Sequence, residues 1–112
     1  TTDHSLVQQL LSEGHITIEQ AQDHPKKNVI IRALGLNFPS TPDITIHRLE
    51  PKDMFILCTD GLTKMLTDQE ILTIALEYQH VPDEACLRLI EQANAAGGID
   101  NTTALLITPR PS

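Results

Sequence analysis

The apolar run Met54-Phe55-Ile56-Leu57-Cys58 stops abruptly at Thr59-Asp60-Gly61, and this stretch most constrains how the chain can fold. The run reads as a buried strand, and the Asp-Gly pair reads as its end. A strand end holds a carboxylate on a rigid element while leaving it open to solvent, which suits a metal ligand. Taken alone, the pair reads as a plain turn, because Asp-Gly is among the commonest turn dipeptides. The chemical reading gains weight from a second acid, Asp100, which precedes another apolar run near the end of the chain.

Around this anchor the chain divides into recognisable elements. Ser5-Leu6-Val7-Gln8 has capping-box spacing, and Leu6, Val7, Leu10 and Leu11 follow at helical intervals up to Gly14. Thr17-Ile18-Glu19-Gln20 repeats the signature and predicts a shorter helix that Pro25 ends. Asn28 to Leu34 is rich in Val and Ile and reads as a strand. Phe38 to Asp43 reads as a loop, Ile44 to Leu49 as a second strand with one wet face, and Glu50 to Asp53 as a turn. That turn suggests an antiparallel hairpin with the most buried strand, Met54 to Thr59. Thr67-Asp68-Gln69-Glu70 opens a helix carrying Ile71, Leu72, Ile74, Ala75 and Tyr78. Val81-Pro82-Asp83 opens the last helix, with Cys86, Leu89, Ile90 and Ala93 as its buried stripe. A Gly-Gly loop, Ala95 to Ile99, leads to a final strand, Thr103 to Thr108, which Pro109 and Pro111 end. The expected class is α+β, with antiparallel β-sheet layers flanked by helices. With only about four strands in view, the sheet edges would be exposed.

Composition narrows the functional classes. The 112 residues make one domain or less, and with no Trp the core must be aliphatic. A net charge of -7 with scattered Lys and Arg argues against nucleic acid and anionic membrane as partners. The same charge is compatible with a divalent cation. Cys58 and Cys86 read as two reduced core thiols of a cytoplasmic protein, with a disulfide as the lesser alternative. No apolar run approaches the length of a membrane span, and no secretory signal is visible. The chain begins at Thr1 with element-like sequence, which suggests a piece of something longer.

If the strands before Asp60 and after Asp100 are antiparallel neighbours, both carboxylates converge on one sheet edge. Two carboxylates plus waters are a usual protein contribution to a magnesium or manganese site. Such ions can hold a phosphate and lower the pKa of a bound water. Asn101 could orient Asp100 or a water; the plainer reading of Asp100 is a loop residue capping the turn. His4, His15, His24, His47 and His80 show no metal-ligand spacing, and Ser5 lacks the surroundings of a nucleophile elbow. Arg32, Lys26 and Lys27 could meet a phosphate, though surface charge is the simpler account.

The ordered blocks Asp3-His4-Ser5-Leu6-Val7, Gly14-His15-Ile16-Thr17, His24-Pro25 and Asn28 to Gly35 resemble one continuous family pattern. Cys58-Thr59-Asp60-Gly61-Leu62-Thr63 and Gly97-Gly98-Ile99-Asp100-Asn101-Thr102-Thr103 complete it in order. The chain resembles the C-terminal half of the metal-dependent serine/threonine protein phosphatases, the type-2C or PPM family, in its bacterial form. The resemblance covers almost the whole chain. It implies a sandwich of two antiparallel sheets flanked by helices, with a two-metal centre of Mn2+ or Mg2+ at one end. It makes Asp60 and Asp100 ligands of the same metal, supported by Gly61 and Asn101, with a bridging water attacking the phosphorus of phosphoserine or phosphothreonine in a phosphoprotein substrate. Residues 14–27 resemble part of the flap beside the active site.

The family's N-terminal half is absent, and with it the phosphate-binding Arg and the Asp-Gly-x-Gly-Gly-His block that supplies the bridging carboxylate. Because both ligand positions on this side, Asp60 and Asp100, are intact, the parent is expected to be active, whereas this chain alone is expected to be inactive or nearly so, holding metal weakly. Its apolar strands would lack partners. Association with the missing half, or self-association through exposed strands, is expected. The alternative is a phosphatase-like binding module without catalysis.

Overall fold

The computed structural model describes residues 1–35 and 41–109 of the chain. The expected loop residues Phe38, Pro39 and Ser40 and the terminal Pro111 lie outside the described residues. Two compact units are distinguished, Thr1–Ile46 and His47–Ser112.

The first unit carries α1 (Leu6–Ser12) and α2 (Ile18–Gln22). Both begin where the capping signals place them. The Ser5 hydroxyl accepts from the Gln8 amide at 3.2 Å, half of the expected box. Thr17 and Gln20 form the complete reciprocal pair. Each cap satisfies amide donors that have no partner inside the helix. Gly14 follows α1 at φ 75°, a left-handed conformation that costs a glycine little.

The second unit holds β1 (Phe55–Cys58), α3 (Asp60–Thr63), α4 (Asp68–Glu77), α5 (Pro82–Ala95) and β2 (Ala104–Ile107). Its sheet is antiparallel, pairing Phe55 with Ile107 and Cys58 with Ala104. The class is thus mixed helix and antiparallel sheet, as expected. Leu62, Leu66, Ile71, Leu89 and Ala93 form the core, with Ile56, Met65, Ile74 and Ala104 packed against it. The core therefore seals α3, α4 and α5 onto one face of the two strands. The Thr67–Glu70 capping box starts α4, and Pro82 occupies the first turn of α5, where a missing amide donor costs nothing.

Several sequence expectations are corrected. Residues 28–34 form no strand. Only an isolated bridge joins Ile30 to Ser5, flanked by Leu6 N–H to Val29 O and Ile31 N–H to His4 O, both 3.0 Å. Residues 44–49 form no strand either, and Ile44 and Ile46 are 82% and 94% exposed. The physical reason is common to both: β-branched runs favour an extended backbone, but a ladder needs a second strand. The expected hairpin accordingly does not form. Its turn exists, with Asp53 N–H donating to Glu50 O at 3.0 Å, but β1 pairs with β2 instead. Nor is β1 deeply buried. Leu57 is 54% exposed, and Cys58 is an exposed free thiol rather than a core one, although its ladder partner Ala104 packs against the core. Cys86 is half-buried and also free.

Candidate functional site

Thr59, one residue beyond β1, ties the end of that strand to the start of β2. Its N–H donates to Thr103 O at 3.1 Å. Its hydroxyl donates to Asn101 O at 3.2 Å and accepts from Thr103 N–H at 3.0 Å. The next residue, Asp60, is not part of a simple turn, as Asp-Gly alone would suggest. It is the first residue of α3, with Thr59 as the N-cap.

Gly61 is buried against the segment ahead of β2. A Cβ there would lie 2.9 Å from the Asn101 carbonyl carbon and from Thr102 Oγ1, and closer still to Asn101 O. Only a residue without a side chain permits that approach. The two contacts together bring the Asp-Gly corner beside Asp100-Asn101.

Both acids are open to water. The Asp60 side chain is 65% exposed and takes an ion pair from Lys64 Nζ at 2.8 Å, one helical turn later. That hydrogen bond is the main reason its carboxyl lies below the ordinary carboxylate range, helped by the Lys64 charge and by the Asp60 and Gly61 amides. Lys64 is raised in turn, first by the Asp60 hydrogen bond and also by the charges of Asp60 and Asp100. One ammonium thus responds to both acids. Asp100 Oδ1 accepts from Asn101 N–H at 2.7 Å, which orients its carboxylate. Thr102 Oγ1 donates to Asp100 O at 3.4 Å.

This donor chemistry fits a hard divalent cation. Two solvent-open carboxylates share a rim, and a cationic group already sits in their joint field. The set is incomplete for a closed site, since no group of three or more His, Cys, Asp or Glu side chains is gathered among the described residues. Waters, a phosphate or further chain would supply the remaining ligands. Thr59 and Lys64 escaped the sequence reading. The signals available were a hydroxyl directly before the Asp-Gly pair and an acid–lysine spacing of four.

In the first unit, Arg32 is engaged rather than free for phosphate. It reaches Asp43 at 3.2 Å, His4 Nε2 at 3.0 Å and Thr41 O. His4 Nε2 also lies 2.7 Å from Asp43 Oδ2. The His4 and Arg32 hydrogen bonds hold the Asp43 carboxyl below its usual range.

The protein-family model described as Protein phosphatase 2C matches residues 12–102. Protein phosphatase PhpP of Streptococcus pneumoniae is 40% identical over 108 residues, which are 96% of this chain and 44% of that protein. The S. agalactiae serine/threonine phosphatase structure superposes with a TM-score of 0.89 at 41% identity, covering 97% of this chain and 45% of that one. The catalytic domain of the phosphatase PstP, in complex with 2 manganese ions, gives 0.73 at 35% identity, over 95% and 42% of the two chains. The chain therefore spans less than half the length of each of these proteins. No helix among the described residues is long and apolar enough to cross a membrane.

Proposed function

The chain belongs to the protein phosphatase 2C family, and from that premise we propose that it is the C-terminal part of a metal-dependent phosphatase acting on phosphoserine and phosphothreonine in proteins. The observation that supports this reading is the contact of Gly61 with Asn101, which brings the backbone of the Asp60–Gly61 corner beside Asp100–Asn101, with Lys64 ion-paired to Asp60. Asp60 and Asp100 would hold a divalent ion, manganese or magnesium. When bound, that ion supplies positive charge against the phosphate and acidifies water for in-line attack.

The chain's own residues then have separable roles. Gly61 permits the close approach of the two segments. Thr59 clamps them in register. The Asn101 amide orients the Asp100 carboxylate. Lys64 neutralises Asp60 in the metal-free protein and competes with an incoming cation. Residues 14–27, which include α2, correspond to the family's flap-like segment in this reading. The remaining ligands and the phosphate-binding arginine belong to the rest of the parent protein, so this chain alone has little or no activity and associates with its missing half. A cytoplasmic location, with both cysteines reduced, accompanies the proposal.

The test is manganese-dependent hydrolysis of p-nitrophenyl phosphate by the complete protein. Asp60→Asn and Asp100→Asn should each lower the rate by about 100-fold or more, because each removes a group that positions the reacting centre. Manganese binding, followed by electron paramagnetic resonance, should weaken in both variants and strengthen several-fold in Lys64→Ala. Unchanged binding and rate in Asp60→Asn would remove that residue from the mechanism. Full metal binding without turnover by the complete protein would favour a phosphatase-like binding module.

A further inference from the structure

A concavity lies between α4 and α5 and shares no lining residue with the Asp60–Asp100 rim. Its volume is about 310 Å³, enough for one large side chain and part of its backbone. The floor is apolar, made by Leu66, Ile74 and the Tyr78 ring.

The walls are charged, and their charges are unevenly satisfied. Arg88 lies 5.9 Å over the Tyr78 ring and is held by Glu84 at 3.0 Å and Glu91 at 2.8 Å, so its charge is already met. Glu70 on the opposite wall is committed to the Thr67 amide and hydroxyl, both at 2.8 Å. Glu77, on the same wall, has no ion-pair partner among the described residues. The lining thus carries two carboxylates, Glu70 and Glu77, with no ion-pair partner among the described residues, and one guanidinium that is already paired. The Gln69 and Gln92 side chains, with no hydrogen-bond partner among the described residues, offer amide donors and acceptors at the rim.

We propose that this groove docks a basic peptide segment of a partner protein. One aliphatic or aromatic side chain of the peptide sits on Leu66, Ile74 and Tyr78. A neighbouring lysine or arginine meets Glu77, and the two glutamines bond its backbone. Charge complementarity selects this occupant: an acidic segment would meet uncompensated carboxylates, and a purely apolar one would leave Glu77 desolvated. The proposal is independent of the metal chemistry, since none of these residues lies on the phosphatase rim.

The experiment uses the complete protein that contains this chain and a fluorescein-labelled peptide carrying one leucine between two lysines, followed by anisotropy. Binding should be saturable, weaken with added salt and fall about tenfold in Glu77→Lys, an exposed position whose substitution leaves the fold intact. Thr73→Trp, which fills the groove from α4, should abolish it. Replacing the peptide's leucine by glycine, or its lysines by glutamates, should do the same. Asp60→Asn should bind the peptide as the unsubstituted protein does, which separates this inference from the proposed activity. Absence of binding, or equal binding of the glutamate peptide or by Glu77→Lys, overturns the proposal.

Discussion

Residues 28–34 and residues 55–58 are both apolar runs with β-branched members, yet only the second becomes a strand. The difference lies outside the runs themselves. Phe55–Cys58 finds Ala104–Ile107 across the ladder and has Leu62, Leu66 and Leu89 beneath it. Asn28 to Leu34 finds one bridge to Ser5, and Leu34 is left 95% exposed. A strand is a property of a pair and of the layer that covers it; β propensity alone prepares the backbone without fixing it.

Amide hydrogen exchange should give the widest separation between the two regions. The ladder amides of 55–58 and 104–107 should exchange at least about 100-fold more slowly than those of 29–34, because the latter open without unfolding a core. On the proposed function, adding the proposed N-terminal half should erase that contrast by protecting 29–34. If protection of 29–34 is already equal in the isolated chain, the comparison collapses.

Side-chain truncation sharpens the same contrast. Leu89→Ala removes a fully buried side chain from the second unit and should cost about 3 kcal/mol in urea unfolding. Ile30→Ala, at a residue 65% exposed, should cost less than about 0.5 kcal/mol. Gly61→Ala forces Asn101 away from the α3 turn and should cost about 2 kcal/mol. It should also reduce manganese binding, with no carboxylate removed.

The helices show why some of the fold was legible beforehand. Thr17, Thr67 and Pro82 act within a turn or two of sequence, so their signals read directly. The strand partners are set by contacts across about 50 positions, and no local pattern reports them. The abrupt stop at Asp60 and the acid at Asp100 were visible because each adjoins an apolar run. Thr59 was not, because its importance arises only once Asn101 and Thr103 stand opposite; Lys64 was legible only through its spacing of four from Asp60. Cys58 was misjudged for a related reason: apolar neighbours in sequence do not by themselves bury a side chain in space.

Two smaller effects test how far local capping carries the second unit. Thr67→Ala should cost about 1 kcal/mol by leaving the Glu70 amide in the first turn of α4 without its cap. The Glu70 carboxyl is held below its usual value, first by the Thr67 amide and then by the Thr67 hydroxyl. A depressed folded-state pKa contributes stability above the unfolded value of 4.5 and loses it as pH falls through the lower folded value. The difference between the unsubstituted chain and Glu70→Gln should therefore shrink on acidification below about pH 4.5, and unfolding curves taken across that window check it.

The Thr59 hydroxyl, bound to Asn101 and Thr103 at once, acts as a ruler between distant parts of the chain. A slip of one residue in the ladder would carry Asp60 about 3.4 Å along it and break both bonds together. One hydroxyl thereby couples the ladder's register to the seating of the Asp60–Gly61 corner beside Asp100–Asn101.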